Sequence, residues 1–197
     1  MDTEPVFSQK KLATFEKCQP FPLRKCVLLP FNSKQLEMGL VACYAGSFDP
    51  VTKGHENIAL RAAAMFDRLI VAVGVNSGKS SLFPLEQRLQ WLKSCFRKVP
   101  QIEVAAYEGL TVDFCRRCGA TVLVRGVRSI ADFEQEGNVA AVNKALCPEV
   151  ETVLLFTEDG LAHVSSSNVR EIWRNGGDVS AFLPEGVELP PSGSVRG

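Results

Sequence analysis

Histidine is scarce in this chain: only His55 and His163 occur. There is one C-x-x-C pair, Cys115 to Cys118, and no second one, so a zinc centre lacks the further ligands it would need. An excess of one charge is also missing, since Lys+Arg and Asp+Glu both number 22 and the formal net charge is zero. Proteins that track nucleic-acid phosphates normally carry a basic excess, so no nucleic-acid partner is expected, although a local basic pocket for a small anion is allowed. Long apolar runs are absent. The longest, Leu69 to Val73 with a continuation through Gly74 to Val75, falls far short of the ~20 residues of a membrane helix, so a soluble chain with no membrane partner is expected. A signal-peptide pattern, an internal repeat and a low-complexity tract are missing too. The 7 cysteines are odd in number and most lie in apolar stretches, which predicts reduced, buried thiols and a cytoplasmic setting.

What is present suits one ordinary domain. The chain has 197 residues, of which 46% are hydrophobic and 22% charged, enough to bury a real core. Residues 1–38 hold four prolines, mixed charges and no sustained periodicity, and read as a poorly structured extension. Met38 is a possible natural start; a real but loose tail is the alternative, and acidic residues argue against a transit peptide. A domain over 39–188 and a loose tail over 189–197 are expected to follow. Within the domain, apolar runs alternate with helical patterns. Strands are predicted at Leu40–Ala45, Leu69–Val75, Ile102–Ala106, Thr121–Val124 and Thr152–Phe156. Between them lie helical segments: Ile58, Ala62, Met65 and Phe66 mark one face, and Leu85, Leu89, Leu92 and Phe96 another, with Pro84 suited to a first turn. Further helices are expected over 111–118, ended by Gly119, over 132–146 and over 167–174. In the third, Leu110, Phe114 and Cys118 form a stripe and Val112 and Cys115 a pair, so the C-x-x-C reads as core packing. Uniformly apolar strands alternating with helices predict an α/β fold: a Rossmann-like, doubly wound, five-stranded parallel sheet in a single domain. Such sheets bind ligands at the carboxyl ends of their strands, which directs attention to the loops after strands one, two, four and five.

The loop after strand two, Gly74 to Ser80, has one residue too few between its glycines for a phosphate-wrapping P-loop. Lys79 there reads as a phosphate contact or as a solvated lysine. The loop after strand one is more specific. Gly46-Ser47 permits close approach of backbone N–H groups to a phosphate, and Thr52-Lys53-Gly54-His55 places an imidazole in the first turn of a helix. Arg125 and Arg128 directly follow an apolar strand, where a ligand role competes with a surface pair. Ser165, Ser166 and Ser167 precede the last helix, where they can cap it and offer donors to an anion.

These residues carry a resemblance. Thr52-Lys53-Gly54-His55 and Val164-Ser165-Ser166-Ser167-Asn168-Val169-Arg170 resemble the two signatures of the nucleotidyltransferase superfamily. Within it, the chain is similar to the bacterial phosphopantetheine adenylyltransferase family. The shared segments are Gly46-Ser47-Phe48-Asp49-Pro50 with the Thr-x-Gly-His that follows, Arg125-Gly126-Val127-Arg128, Asp132-Phe133-Glu134-Gln135-Glu136 with Asn143, and Phe182-Leu183-Pro184. They run in order from about Leu40 to Val187. The resemblance implies adenylyl transfer from ATP to 4′-phosphopantetheine, giving dephospho-coenzyme A and pyrophosphate in coenzyme A biosynthesis. It also implies Mg²⁺ dependence and a homohexamer. By the same likeness, His55, Lys79 and Arg125 are the catalytic candidates. Ser47, Phe48, His55, Gly126, Val127, Arg128, Glu136 and the run Leu161, Ala162, His163, Val164, Ser165, Ser166, Ser167 are candidates for ATP. Ser47, Lys79, Thr111 and Arg125 are candidates for the acceptor, and no residue is assigned to a metal. Ala45, Gln135 and His163 depart from the family pattern. The alternatives are another adenylyl- or cytidylyltransferase of the superfamily, a non-catalytic nucleotide-binding regulator, and a C-x-x-C metal or redox module.

Overall fold

The computed structural model describes residues 39–75, 78 and 80–192; the expectations for residues 1–38 and for Lys79 lie outside them. Five strands and five helices alternate. They are β1 (Val41–Gly46), α1 (Lys53–Ala63), β2 (Arg68–Val75), α2 (Leu85–Phe96), β3 (Ile102–Glu108), α3 (Thr111–Cys118), β4 (Val122–Val127), α4 (Ile130–Leu146), β5 (Glu151–Phe156) and α5 (Ser166–Arg174). All strand pairs are parallel, in the order β3-β2-β1-β4-β5. The chain thus winds outward from β1 in one direction and then, through β4, in the other. The reversal falls between β1 and β4, where a crevice opens at the strands' carboxyl ends.

Strand alternation divides the core in two. Ala42, Tyr44, Leu69, Val71, Val73, Val122 and Val124 face one side and pack with Ile58, Ala62, Leu92, Phe96, Val169 and Trp173 from α1, α2 and α5. Phe83, fully buried before α2, meets Trp91 and Trp173 edge-on at 5.0 and 5.3 Å. Losing a buried ring of this kind costs about 3–5 kcal/mol. On the other side, Cys43, Ala45, Ile70, Ala72 and Leu123 meet Val112 and Cys115 of α3. α3 ends where Gly119 takes a left-handed φ of 72°, a conformation that glycine adopts without strain.

Some local expectations need correction. Met65 is exposed and lies beyond the end of α1, so only Ile58, Ala62 and Phe66 of that set are buried. Leu110 is exposed as well; the buried contacts of α3 are the Val112 and Cys115 pair. Pro84 is the N-cap of α2 rather than a residue of its first turn. Cys115 is fully buried and Cys118 donates its thiol to the Cys115 carbonyl at 3.4 Å, within a packed helix. α4 buries none of its residues and leaves Ile130 80% and Val142 59% exposed. The segment expected to be a loose tail begins with packed residues: Leu189 lies against the core, and the Pro190 carbonyl accepts from Trp173 Nε1 at 2.7 Å. Among the described residues, no helix is long and apolar enough to cross a membrane.

Candidate active site

A cavity of about 290 Å³ opens at the crevice between the ends of β1 and β4. Its floor comes from Tyr44, Ala45 and Gly46 of β1 and from Arg125 and Gly126 of β4. Two close approaches shape it. A Cβ on Gly46 would lie 3.1 Å from Cζ of Phe48, whose ring folds back over the strand end, and one on Gly126 would lie 3.3 Å from Cγ1 of Ile58 on α1. Any larger residue at either position pushes these walls apart.

The loop between β1 and α1 is held throughout. The Asp49 carboxylate accepts from the backbone N–H groups of Leu82 and Phe83 at 2.8 and 2.9 Å. Arg170 of α5 donates to the Asp49 carbonyl at 2.6 Å, and Arg88 of α2 donates to the Ser47 carbonyl at 2.8 Å. Phe48 takes a φ of 46°, rare for a residue with a Cβ, and is fully buried with its ring edge-on to His55 at 5.1 Å.

His55 stands in the first turn of α1. The backbone N–H of Thr52 donates to its Nδ1 at 3.0 Å, and the Thr52 hydroxyl lies 2.9 Å from the same nitrogen. Nδ1 is therefore an acceptor, which puts the proton of the neutral ring on Nε2. Burial, followed by the charges of Arg128 and Arg125, pushes its pKa down from 6.5 to about 4. The ring is a neutral donor at physiological pH.

The two arginines are not free cations. Both carboxylate oxygens of Glu136 accept from Arg125, from Nε and Nη2, at 2.7 Å each, and Arg125 Nη1 donates to the Ala45 carbonyl at 2.7 Å. Burial opposes the Arg125 charge, but the Glu136 bonds outweigh it and hold its pKa above the ordinary value. Arg128 makes the same kind of fork with Asp132, at 2.9 and 3.3 Å. Both partners come from α4. At the far rim, Ser165 caps α5 by accepting from the Asn168 N–H at 3.1 Å, and the Ser166 hydroxyl donates to the Pro50 carbonyl at 2.8 Å.

The cavity thus gathers Ser47, Phe48, His55, Arg125, Gly126, Arg128, Glu136, Val164, Ser165, Ser166 and Ser167. Val127, Leu161, Ala162, His163 and Thr111 are not in its lining. Val127 is fully buried in β4, and His163 is exposed with its ring edge-on to Phe182 at 6.0 Å. Thr111 is bonded to the Tyr107 hydroxyl at 2.7 Å. Sequence reasoning missed Tyr44, Thr157, Ile58 and Arg88. Thr52 and Gly54 were visible in the Thr-x-Gly-His pattern but were not assigned to the site. The others lie in ordinary strand, loop or helix positions and carry no local signal.

A parallel sheet with this order, and a histidine at the helix start beside its reversal point, form an arrangement that suits nucleotide binding, and sequence comparison places the chain among the nucleotidyltransferases. The Cytidylyltransferase-like family matches over residues 43–172. The fold is also similar to a nicotinate-nucleotide adenylyltransferase structure from Vibrio parahaemolyticus, titled as putative, with a TM-score of 0.57 at 12% identity, covering 75% of this chain and 88% of that one. More narrowly, the chain belongs to the phosphopantetheine adenylyltransferases. It is 49% identical over 149 residues to the one from Porphyromonas gingivalis, covering 76% of this chain and 97% of the relative. It is 46% identical over 148 residues to the one from Desulforudis audaxviator, covering 75% and 91%.

Proposed function

We propose that the chain transfers the adenylyl group of ATP to 4′-phosphopantetheine, releasing pyrophosphate and forming dephospho-coenzyme A for coenzyme A biosynthesis. The observation that carries the reading is His55 at the sheet's reversal point, its Nδ1 held by the Thr52 N–H at 3.0 Å so that the neutral ring presents Nε2–H as a donor. An oxygen of the acceptor phosphate attacks the α-phosphorus, a P–O bond forms there, and the bond to the β-phosphate oxygen breaks as pyrophosphate leaves. The acceptor is already an anionic nucleophile, so no base or covalent enzyme intermediate is required. Catalysis reduces to holding the two reactants in line and stabilising charge as it spreads. His55 gives a hydrogen bond to the α-phosphate. Three of the five N–H groups of Arg125 are used by Glu136 and Ala45, leaving two for the acceptor phosphate, a role for which Lys79 is also proposed by family resemblance. Ser47, Phe48, Gly126, Arg128 and the serines at the start of α5 form the ATP side.

Mg²⁺ enters this reading on the ATP. Among the described residues no cluster of three or more His, Cys, Asp or Glu is placed to hold a metal ion. Among the described residues lining the cavity, Glu136 alone carries a carboxylate, and both its oxygens are on Arg125. These residues do not fit a resident metal. Self-association is supported by α4, whose Ile130, Phe133, Val142 and Leu146 are exposed together with Phe156 of the edge strand β5, and the homohexamer is proposed from the family resemblance. A cytoplasmic setting belongs to the same proposal, and the free thiols of the five cysteines among the described residues suit it. The test is pyrophosphate release from ATP with and without 4′-phosphopantetheine: release that requires the acceptor supports the reading, and release that CTP supports equally well points to a cytidylyltransferase. Light scattering of wild type against Phe133→Glu tests the assembly, which the added charge should break.

A further inference from the structure

Arg88 lies outside every motif, yet it is one of the few charged side chains in the core. It is 4% exposed, and charged residues are rarely so buried unless paired. Its satisfaction is incomplete. Nη1 donates to the Ser47 carbonyl at 2.8 Å, while Nε is buried without a partner. Asp49, the nearby acid, already spends both carboxylate oxygens on Leu82 and Phe83. Burial pulls the Arg88 pKa down, opposed by the charges of Asp49 and Glu86. A methionine of similar length would sit in this place with less desolvation penalty, so core stability does not account for an arginine here.

What the guanidinium holds does account for it. Ser47 and Phe48 both line the cavity, and Phe48 is kept at a φ of 46°, a conformation that needs support from its surroundings. Arg88 draws the Ser47 carbonyl from the α2 side, and Arg170 draws the Asp49 carbonyl from the α5 side. A carbonyl oxygen engaged by a cation is also not turned, bare and partly negative, toward a phosphate. We infer that Arg88 is a positioning residue for adenylyl transfer: it holds and masks the Ser47 carbonyl, fixing the loop that receives the reacting phosphates. The inference rests on reading this cavity as the adenylyl-transfer site.

The experiment compares the full chain with Arg88→Met and Arg88→Lys, measuring kcat and KM for ATP and for 4′-phosphopantetheine by pyrophosphate release, together with Tm. Arg88→Met should keep a Tm within about 3 °C of wild type or above it. Its kcat should fall about tenfold to a hundredfold, the scale of a lost hydrogen bond to a charged group, with smaller changes in KM. Arg88→Lys restores charge and one donor and should recover part of that loss. A folded Arg88→Met with wild-type kcat overturns the inference, as does a loss that lysine does not rescue at all. If Arg88→Met fails to fold, Arg88→Lys decides: lowered kcat at unchanged Tm supports the inference, and unchanged kcat overturns it. Absence of acceptor-dependent turnover in the wild type would instead be a failure of the assigned reaction.

Discussion

On the α1 side of the cavity, the functional group is neutral and the forces that hold it are those of a core. His55 is fixed by a backbone N–H, Phe48 packs against its ring, and Thr52 and Ile58 beside it are buried. On the α4 side, the functional groups are charged and are held by carboxylates on a helix with no buried residue. The first wall is set when the domain folds. The second is set by ion pairs, which an incoming phosphate can share or replace, because two forks of carboxylate and guanidinium are a stand-in for ligand charge. A site for a polyanion built this way keeps its arginines oriented without leaving them unpaired before the ligand arrives.

The sharpest way to break this contrast is to remove one group from each wall. His55→Ala should fold normally, bind 4′-phosphopantetheine nearly as well, and lose roughly 10²–10³ in turnover, as expected for one transition-state donor. Steady-state kinetics and a thermal melt check both halves, and a variant keeping more than about a tenth of wild-type turnover would remove His55 from that role. Arg125→Ala should act differently. It removes charge-assisted hydrogen bonds worth roughly 1.5–3 kcal/mol, and calorimetry should show this in binding of 4′-phosphopantetheine far more than of ATP. Equal weakening of both ligands would move Arg125 away from the acceptor.

Acid separates the walls in another way. Folding lowers the His55 pKa from 6.5 to about 4, so the unfolded chain takes up that proton first as pH falls. The associated stability is present above the ordinary histidine value and is lost as pH drops toward about 4. Urea midpoints at pH 7 and pH 5 should therefore differ more for wild type than for His55→Gln, and an identical shift would contradict the assignment. Smaller still is the effect of Asp132→Asn on the α4 wall. Its pair with Arg128 is partly exposed, at 39% for the arginine and 24% for the acid, so the stability change should be about 1 kcal/mol and shrink with added salt. His163→Ala, on an exposed ring outside the cavity, should leave the chemical step intact.

The sheet was legible from sequence because uniformly apolar strands and helical stripes are local signals, and each predicted strand lies within two or three residues of its observed bounds. The α1 wall was legible for the same reason: Gly46 to His55 is contiguous, so the motif and the geometry coincide. The state of the α4 wall was not. Arg125, Arg128, Asp132 and Glu136 were all singled out, but their side chains read as cations and nucleotide contacts rather than as two closed pairs. The Arg125–Glu136 pair depends on the angle between β4 and α4, which spacing does not encode, whereas Arg128 and Asp132 stand four residues apart and their pairing was open to reading. Arg88 was invisible because the carbonyl it serves is 41 positions away. The Met65 and Leu110 errors share a cause: periodicity extends past the point where a helix ends or leaves the core.

The direction in which His55 is held has a chemical consequence beyond turnover. Soft metals and electrophiles attack the lone pair of a neutral imidazole, and in this ring that pair sits on Nδ1, engaged by the Thr52 N–H at 3.0 Å. The other nitrogen, Nε2, carries the hydrogen of the neutral ring and so has no lone pair to coordinate or acylate. Histidine-modifying reagents should therefore react slowly at this ring, and an acylating reagent such as diethyl pyrocarbonate should mark exposed His163 well before His55.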